Sequence, residues 1–121
     1  MAFHNKLGKL GEQIACNYLL KMKYSIIEQN HRNKFGEIDI IARQKNLLIF
    51  VEVKSRSSEE FVNLNYSLRK QQIKHLKKAG SYYFIEKKLK LLNYRYDLIL
   101  LKIDCKQKQV TKFSHLKNII N

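Results

Sequence analysis

Residues Gly36 to Lys54 read G-E-I-D-I-I-A-R-Q-K-N-L-L-I-F-V-E-V-K. The first part alternates, with Glu37 and Asp39 on one face and Ile38 and Ile40 on the other, as a half-buried strand does. A polar break follows at Gln44-Lys45-Asn46. Leu47 to Val51 is then continuously apolar, which suits a strand buried on both faces. Alternation returns with Glu52 and Lys54 opposite Val53. The whole reads as a tight hairpin. A turn centred between Lys45 and Asn46 sets Ile40 against Val51, Ile38 against Val53 and Asp39 against Glu52. Parity fixes that register, because a one-residue slip would push charge into the core.

Two carboxylates directly opposed across a strand pair lie about 5 Å apart at Cβ and repel. At that separation the repulsion is about 3 kcal/mol at an effective dielectric of 20. Such a pair does not stabilise a fold by itself. A divalent cation between the carboxylates reverses the sign, and two hard oxygen ligands plus water suit Mg²⁺, or Mn²⁺ in its place. Lys54, two residues beyond Glu52, projects to the same face and can orient a water or steady charge on a phosphoryl group. An Asp, a Glu and a Lys at a strand end are the side chains that phosphodiester cleavage requires.

Asp39 followed by E-V-K at Glu52-Val53-Lys54 resembles the PD-(D/E)xK motif of the restriction-endonuclease-like superfamily. More narrowly, the chain is similar to the YraN-like family of small bacterial proteins. The likeness is carried by L-G-x-x-G-E at Leu7 to Glu12, N-x-R at Asn30 to Arg32 and G-E-I-D-I-I-A from Gly36. It continues with F-V-E-V-K-S-R from Phe50 to Arg56 and Y-R-Y-D from Tyr94 to Asp97. Each piece alone is weak, but their order and their spread over most of the chain are specific. In motif layout the family resembles Holliday-junction resolvases, which implies an α/β nuclease core. The likeness concerns fold, and activity is a further inference.

At 121 residues the chain makes one domain, residues 1–121, with room for a modest core. Hydrophobic content of 45% beside 28% charged residues excludes a disordered chain. The net charge of +14 favours a polyanionic partner, with nucleic acid ahead of an acidic membrane surface. A Lys-rich soluble protein with no such partner is the plainer reading of the same number. Cys16 and Cys105 stand apart without a C-x-x-C, so neither zinc nor a disulfide framework is indicated, and a reduced, cytoplasmic setting fits. His4, His31, His75 and His115 show no metal-ligand spacing and read as surface histidines. No run approaches membrane-spanning length, and no Gly-rich phosphate loop appears, so neither a membrane nor a small-molecule cofactor is expected.

Around the hairpin, His4 to Lys23 has helical periodicity, with Leu7, Gly11, Ile14, Tyr18 and Met22 as its apolar stripe and Leu10 beside it. Gly8 and Gly11 lower helix propensity, which close packing on the sheet would explain. Glu12 sits at the stripe's margin: a solvent-edge carboxylate by pattern, an auxiliary metal or water ligand by the resemblance. Tyr24 to Asn30 reads as a first strand and His31 to Lys34 as a basic connection, in which Arg32 either meets a phosphate or is solvated. Gly36 supplies the turn into the Asp39 strand.

Beyond Lys54 the chain turns polar, and through about Asn65 it reads as a loop. Arg56 stays on the active face if the strand continues, where it can grip a phosphate bidentately. Tyr66 to Lys87 is a second helix with Leu68, Gln72, Leu76, Ala79 and Tyr83 inward and Lys70, Lys74, Lys77 and Lys78 outward. No acid precedes Glu86 to pair with that stripe, so it reads either as a phosphate-tracking face or as simple solubility. Lys70 matches a lysine that recurs in the family. Tyr94 to Ile103 is a further strand, in which Arg95 and Asp97 share a face as an ion pair. Gln109 to Phe113 adds an edge strand, and His115 to Asn121 forms a short tail, helical or irregular.

The expected fold is therefore α/β: a central mixed sheet of four or five strands flanked by helices, with the Glu52–Lys54 strand at its centre. The expected function is Mg²⁺-dependent hydrolysis of DNA phosphodiester bonds, in branched or single-stranded substrates. Asp39 and Glu52 hold the metal with Glu12 assisting, Lys54 acts on the water, and Arg56 and Lys70 hold the backbone. No exposed aromatic residue signals base readout. Resolvase-like nucleases often pair, so a homodimer is compatible. The alternative is a nucleic-acid-binding module that keeps the nuclease fold without cleavage; a third class is a protein-interaction scaffold.

Overall fold

Gln44 and Leu47 close the hairpin, with Lys45 at φ 55° in the two-residue turn between them. The computed structural model describes residues 2–57, 70–89, 93–104 and 106–120, with backbone alone at 2–5, 70 and 71. In chain order these form α1 (Ala2–Lys21), β1 (Ser25–Asn33), β2 (Gly36–Gln44), β3 (Leu47–Arg56), α2 (Lys70–Glu86), β4 (Asn93–Asp104) and β5 (Gln109–Leu116). The sheet has five strands in the order β1-β2-β3-β4-β5. Of the described strands, only β3 and β4 run parallel; the other neighbours are antiparallel. This is the mixed α/β sheet that the residue pattern predicts. β3 lies at its centre, as its unbroken apolar run from Leu47 to Val51 requires.

The two helices cover opposite faces. Leu7, Ala15, Cys16 and Leu19 of α1 pack on Ile40, Ala42, Ile49, Val51, Val53 and the inward side of β4. Leu76, Ala79 and Tyr83 of α2 pack on Ile38, Ile41, Leu48, Phe50 and Tyr96. Gly11 permits the closest approach: a Cβ built there would lie 1.6 Å from the Ser55 hydroxyl of β3. Gly8 has no such reason, since its Cβ would meet nothing within 4 Å. The buried line of α1 is rotated from the predicted stripe toward Cys16 and Leu19, and Met22 is exposed, because the helix ends at Lys21. On α2, Gln72 is likewise exposed; residues 66–69, placed in this helix from sequence, and the loop through Asn65 fall outside the described residues.

Alternation fails at one informative point. Ile38 packs in the α2 layer and Ile40 in the α1 layer, although strict period two puts both on one face. The interruption falls at Asp39. Opposite it on β1, Asn30 has φ 53°, and a register shift between Ile26 and Glu28 lies nearby, against Ala42 and Ile41. β1 also runs on through His31 and Arg32, which sequence alone assigns to a connection. Gly36 follows the Lys34-Phe35 turn at φ 145°, a conformation glycine tolerates.

The predicted C-terminal tail is also corrected. His115 belongs to β5, and residues 117–120 have no regular structure. His115 is not a surface residue: its Nε2 donates to Asp97 at 2.8 Å, and its Nδ1 meets the Tyr18 hydroxyl at 2.8 Å. His31 is also largely buried, against Glu28 and the Tyr83 ring. Asp97 itself is wholly buried and accepts from Arg95, His115 and the backbone N–H of Asn118. The expected Arg95–Asp97 pair is therefore the centre of a larger clamp joining β4, β5 and α1.

Candidate active site at the β2–β3 divide

The β2–β3 ladder ends at Ile40↔Val51. Beyond it the backbone N–H of Val53 donates to Asp39 Oδ2 at 2.8 Å, in place of a strand-to-strand bond. The chain irregularity at Asp39 thus aims its carboxylate at the neighbouring strand. On β3, Val53 packs in the α1 layer, with Glu52 and Lys54 on either side of it in sequence. Lys54 Nζ lies 3.5 Å from Glu52 Oε1, and their side chains are only 16% and 19% exposed. At that burial the charges are weakly screened.

The carboxyl groups of Asp39 and Glu52 are close enough that each acts on the other's ionisation. Burial and then the Asp39 charge push Glu52 up to about 8, with Lys54 pulling the other way. Burial also raises Asp39, while the Val53 N–H, the Glu52 hydrogen bond and Lys54 oppose it. Asp39 has the better donors for an anion, so Glu52 is the carboxyl that holds a proton. The site is an anionic pair held together at the expense of one ionisation.

Glu12 reaches the same region from α1. Its proton affinity is raised by burial and by Asp39, and lowered by a hydrogen bond from the Asn30 side chain. Residue order gives Asn30 no role beyond its place in N-x-R. Its left-handed backbone, a conformation Asn adopts more readily than most residues, is the only local hint. Among the described residues, no three His, Cys, Asp or Glu side chains gather tightly enough to ligate one ion together. Asp39 and Glu52 form the inner pair, and Glu12 stands farther out beside Asn30. Their oxygens are hard donors of the kind magnesium and manganese accept.

The other basic residues singled out from sequence lie on β1, β3 and α2. Arg56 is half-buried at the end of β3 and donates to the Ser55 carbonyl at 2.8 Å. Arg32 is exposed and paired with Glu37, which is itself exposed. Lys74 and Lys77 are exposed on α2. Lys70 opens α2, and its side chain lies outside the described residues. Among the described residues, no helix is long and apolar enough to cross a membrane.

Residues 11–101 match the model of a family described as "Uncharacterised protein family UPF0102". A UPF0102 protein of Christiangramia forsetii is 42% identical over 118 residues, covering 98% of this chain and 96% of the relative. One from Caldicellulosiruptor saccharolyticus is 36% identical over 113 residues, 93% of this chain and 95% of the relative. One from Flavobacterium psychrophilum is 40% identical over 113 residues, 93% and 94% of the two chains.

Proposed function

Because the chain belongs to the uncharacterised protein family UPF0102, the YraN family, and carries a half-buried Asp–Glu–Lys group at a strand divide, we propose that it is a metal-dependent nuclease. Its substrate is DNA, branched or single-stranded, and its reaction is hydrolysis of a phosphodiester bond. The observation that carries this reading is the Asp39–Glu52 pair. Two half-buried carboxyl groups press on each other, raising Glu52 to about 8, with the Lys54 amine 3.5 Å from Glu52. A fold has nothing to gain from that arrangement, and a divalent cation relieves it.

The residues present fit magnesium or manganese: Asp39 and Glu52 would hold the ion, with Glu12 assisting from α1. When bound, the metal lowers the pKa of its water and polarises the phosphoryl oxygen. Val53 keeps Asp39 anionic and aimed into the divide through its N–H. Lys54 stands beside Glu52, where it orients the attacking water and stabilises charge on the phosphoryl oxygens. The water oxygen bonds to phosphorus, the bond to the leaving oxygen breaks, and that oxygen takes up a proton. Arg56 and the α2 lysines Lys70, Lys74 and Lys77 hold the phosphate backbone, with Arg32 farther out; charge-assisted bonds of this type position nucleic acid without reading sequence.

The test is a titration of purified protein with Mg²⁺ or Mn²⁺, scored for cleavage of linear, branched and single-stranded DNA. Cleavage that requires the ion and is lost in Asp39→Ala, Glu52→Ala and Lys54→Ala, with binding retained, is the expected result. Cleavage unchanged in these variants overturns the assignment. Salt-dependent binding with no cleavage of any substrate replaces it with a binding module of nuclease fold, and no binding at all replaces it with a protein scaffold.

A further inference from the structure

The outer face of α2 and the β1–β2 turn carry an aromatic feature that residue order does not announce. Phe35, in the turn, and Tyr82, on α2, meet edge to face with ring centroids 5.4 Å apart. Both are partly exposed, and Ile85 beside them is 74% exposed. With Lys74, Lys77 and Lys78 they line an open groove of about 590 Å³, within the size range of ligand clefts (about 300–1,000 Å³). Lys34 Nζ lies 5.3 Å from the centre of the Phe35 ring and 5.2 Å from that of Tyr82. Among the described residues, none of these four lysines pairs with a carboxylate.

We propose that this groove is a stacking site for an unpaired nucleotide base, with Phe35 and Tyr82 taking the base and Lys34, Lys74, Lys77 and Lys78 taking the flanking phosphates. The proposal rests on the nucleic-acid reading above and narrows its substrate to strands with unpaired bases. A face of apolar rings in a surround of unneutralised amines has the two affinities of single-stranded nucleic acid, π-surface and polyanion. A protein partner for the same groove would have to bring carboxylates to four lysines and rings to two, whereas every nucleotide brings both. Lys34 is exposed and already rests near the rings, so it can swing to a phosphate while the base takes its place.

The position suits the chemistry. Phe35 precedes Asp39 by four residues, about 13 Å of extended chain at roughly 3.3 Å per residue. The stacked base would therefore sit a short run of nucleotides from the Asp39–Glu52 pair. Duplex DNA hides its base faces in the stack, so the groove discriminates for single-stranded or branched ends without reading sequence.

The chain contains no tryptophan, so Tyr82→Trp is a single fluorescent reporter at the site. It is titrated in EDTA with an oligothymidylate and with a duplex of the same length. Quenching by the single strand but not the duplex is expected. In parallel, Tyr82→Ala and Phe35→Ala should weaken single-strand binding about tenfold and duplex binding less than about twofold, while Tyr82→Phe keeps the affinity. Equal loss on both substrates, or no loss with either, overturns the stacking site and leaves the nuclease reading standing. Failure of the unsubstituted protein to bind either substrate removes both. A concentration-dependent dimer abolished by Ile85→Glu also overturns the proposal, by showing that a second copy covers the groove.

Discussion

The backbone N–H of Val53 donates to Asp39 Oδ2 at 2.8 Å, so the strand that carries Glu52 also fixes the carboxylate that opposes it. A hydrogen bond to an ionised acceptor favours the ionised form. That bond opposes the burial that raises Asp39, whereas Glu52 is pushed up to about 8 by burial and by the Asp39 charge. The geometry of the pair and its protonation have one cause.

That cause makes stability fall with pH in the absence of a cation. Glu52 titrates at about 8 when folded, against 4.5 for an ordinary glutamate. A raised acid pKa means that the folded state holds a proton the unfolded chain releases, so stability declines as pH rises from about 4.5 to about 8 and is level above. Asp39 and Glu12 are shifted in the same direction. Thermal unfolding in EDTA should show the decline, and Glu52→Gln should flatten it and stabilise the protein at pH 8 by on the order of 1–3 kcal/mol. Added Mg²⁺ should raise the parent's midpoint more at pH 8 than at pH 5. An unchanged slope in Glu52→Gln would place the strain elsewhere.

The two glycines of α1 should respond to alanine with opposite signs. At Gly11 a methyl would collide with Ser55, and overpacking of this kind costs about 1–3 kcal/mol, with displacement of β3 beside the site. At Gly8 nothing lies within 4 Å, so alanine should stabilise the helix by up to about 1 kcal/mol. Paired urea denaturation curves measure both, and matching shifts would contradict the packing described for Gly11.

Much of this is legible in residue order because it depends on short-range periodicity. The turn at Lys45-Asn46, the Ile40↔Val51 register and the central place of β3 follow from apolar runs and parity alone. The switch of face between Ile38 and Ile40 does not, since an interruption of the pleat has no period of its own. It is resolved by contacts to two different helices. The burial of His115 is hidden for a related reason. Its partners Asp97 and Tyr18 lie 18 and 97 residues away, and no local pattern reports a contact made that far along the chain. The Phe35–Tyr82 groove is hidden likewise, because its two rings come from different elements.

The α2 lysines should govern binding without touching the fold. Lys74, Lys77 and Lys78 are exposed, and the Tyr96 hydroxyl donates to the Lys77 carbonyl, which alanine retains. Lys74→Ala, Lys77→Ala and Lys78→Ala should each leave stability within about 0.5 kcal/mol. Removing a lysine that neutralises a phosphate should flatten the dependence of log affinity on log salt by about 0.9 for duplex DNA and about 0.7 for single strands. An unaltered slope in the triple variant would confine DNA to another face.

Asp97 should prove the main electrostatic clamp of the fold, and its pH dependence should run opposite to that of Glu52. Burial alone would raise it, but the hydrogen bonds from His115, Arg95 and the Asn118 N–H outweigh burial and hold it below its usual value of 3.8. A depressed acid pKa contributes stability that is complete above the unfolded value and is lost as pH falls below it. Asp97→Asn would leave Arg95 and His115 facing a neutral amide in a site with no exposure. Removing one partner of a buried pair costs about 3–5 kcal/mol. Urea midpoints should therefore separate the variant from its parent widely at pH 7 and converge as pH drops below about 3.8. Since Asp97 is engaged by β5 and the following segment rather than by the Asp39–Glu52 pair, metal-induced stabilisation should persist in whatever fraction of the variant remains folded. A variant as stable as its parent at pH 7 would show that the clamp merely satisfies a buried charge.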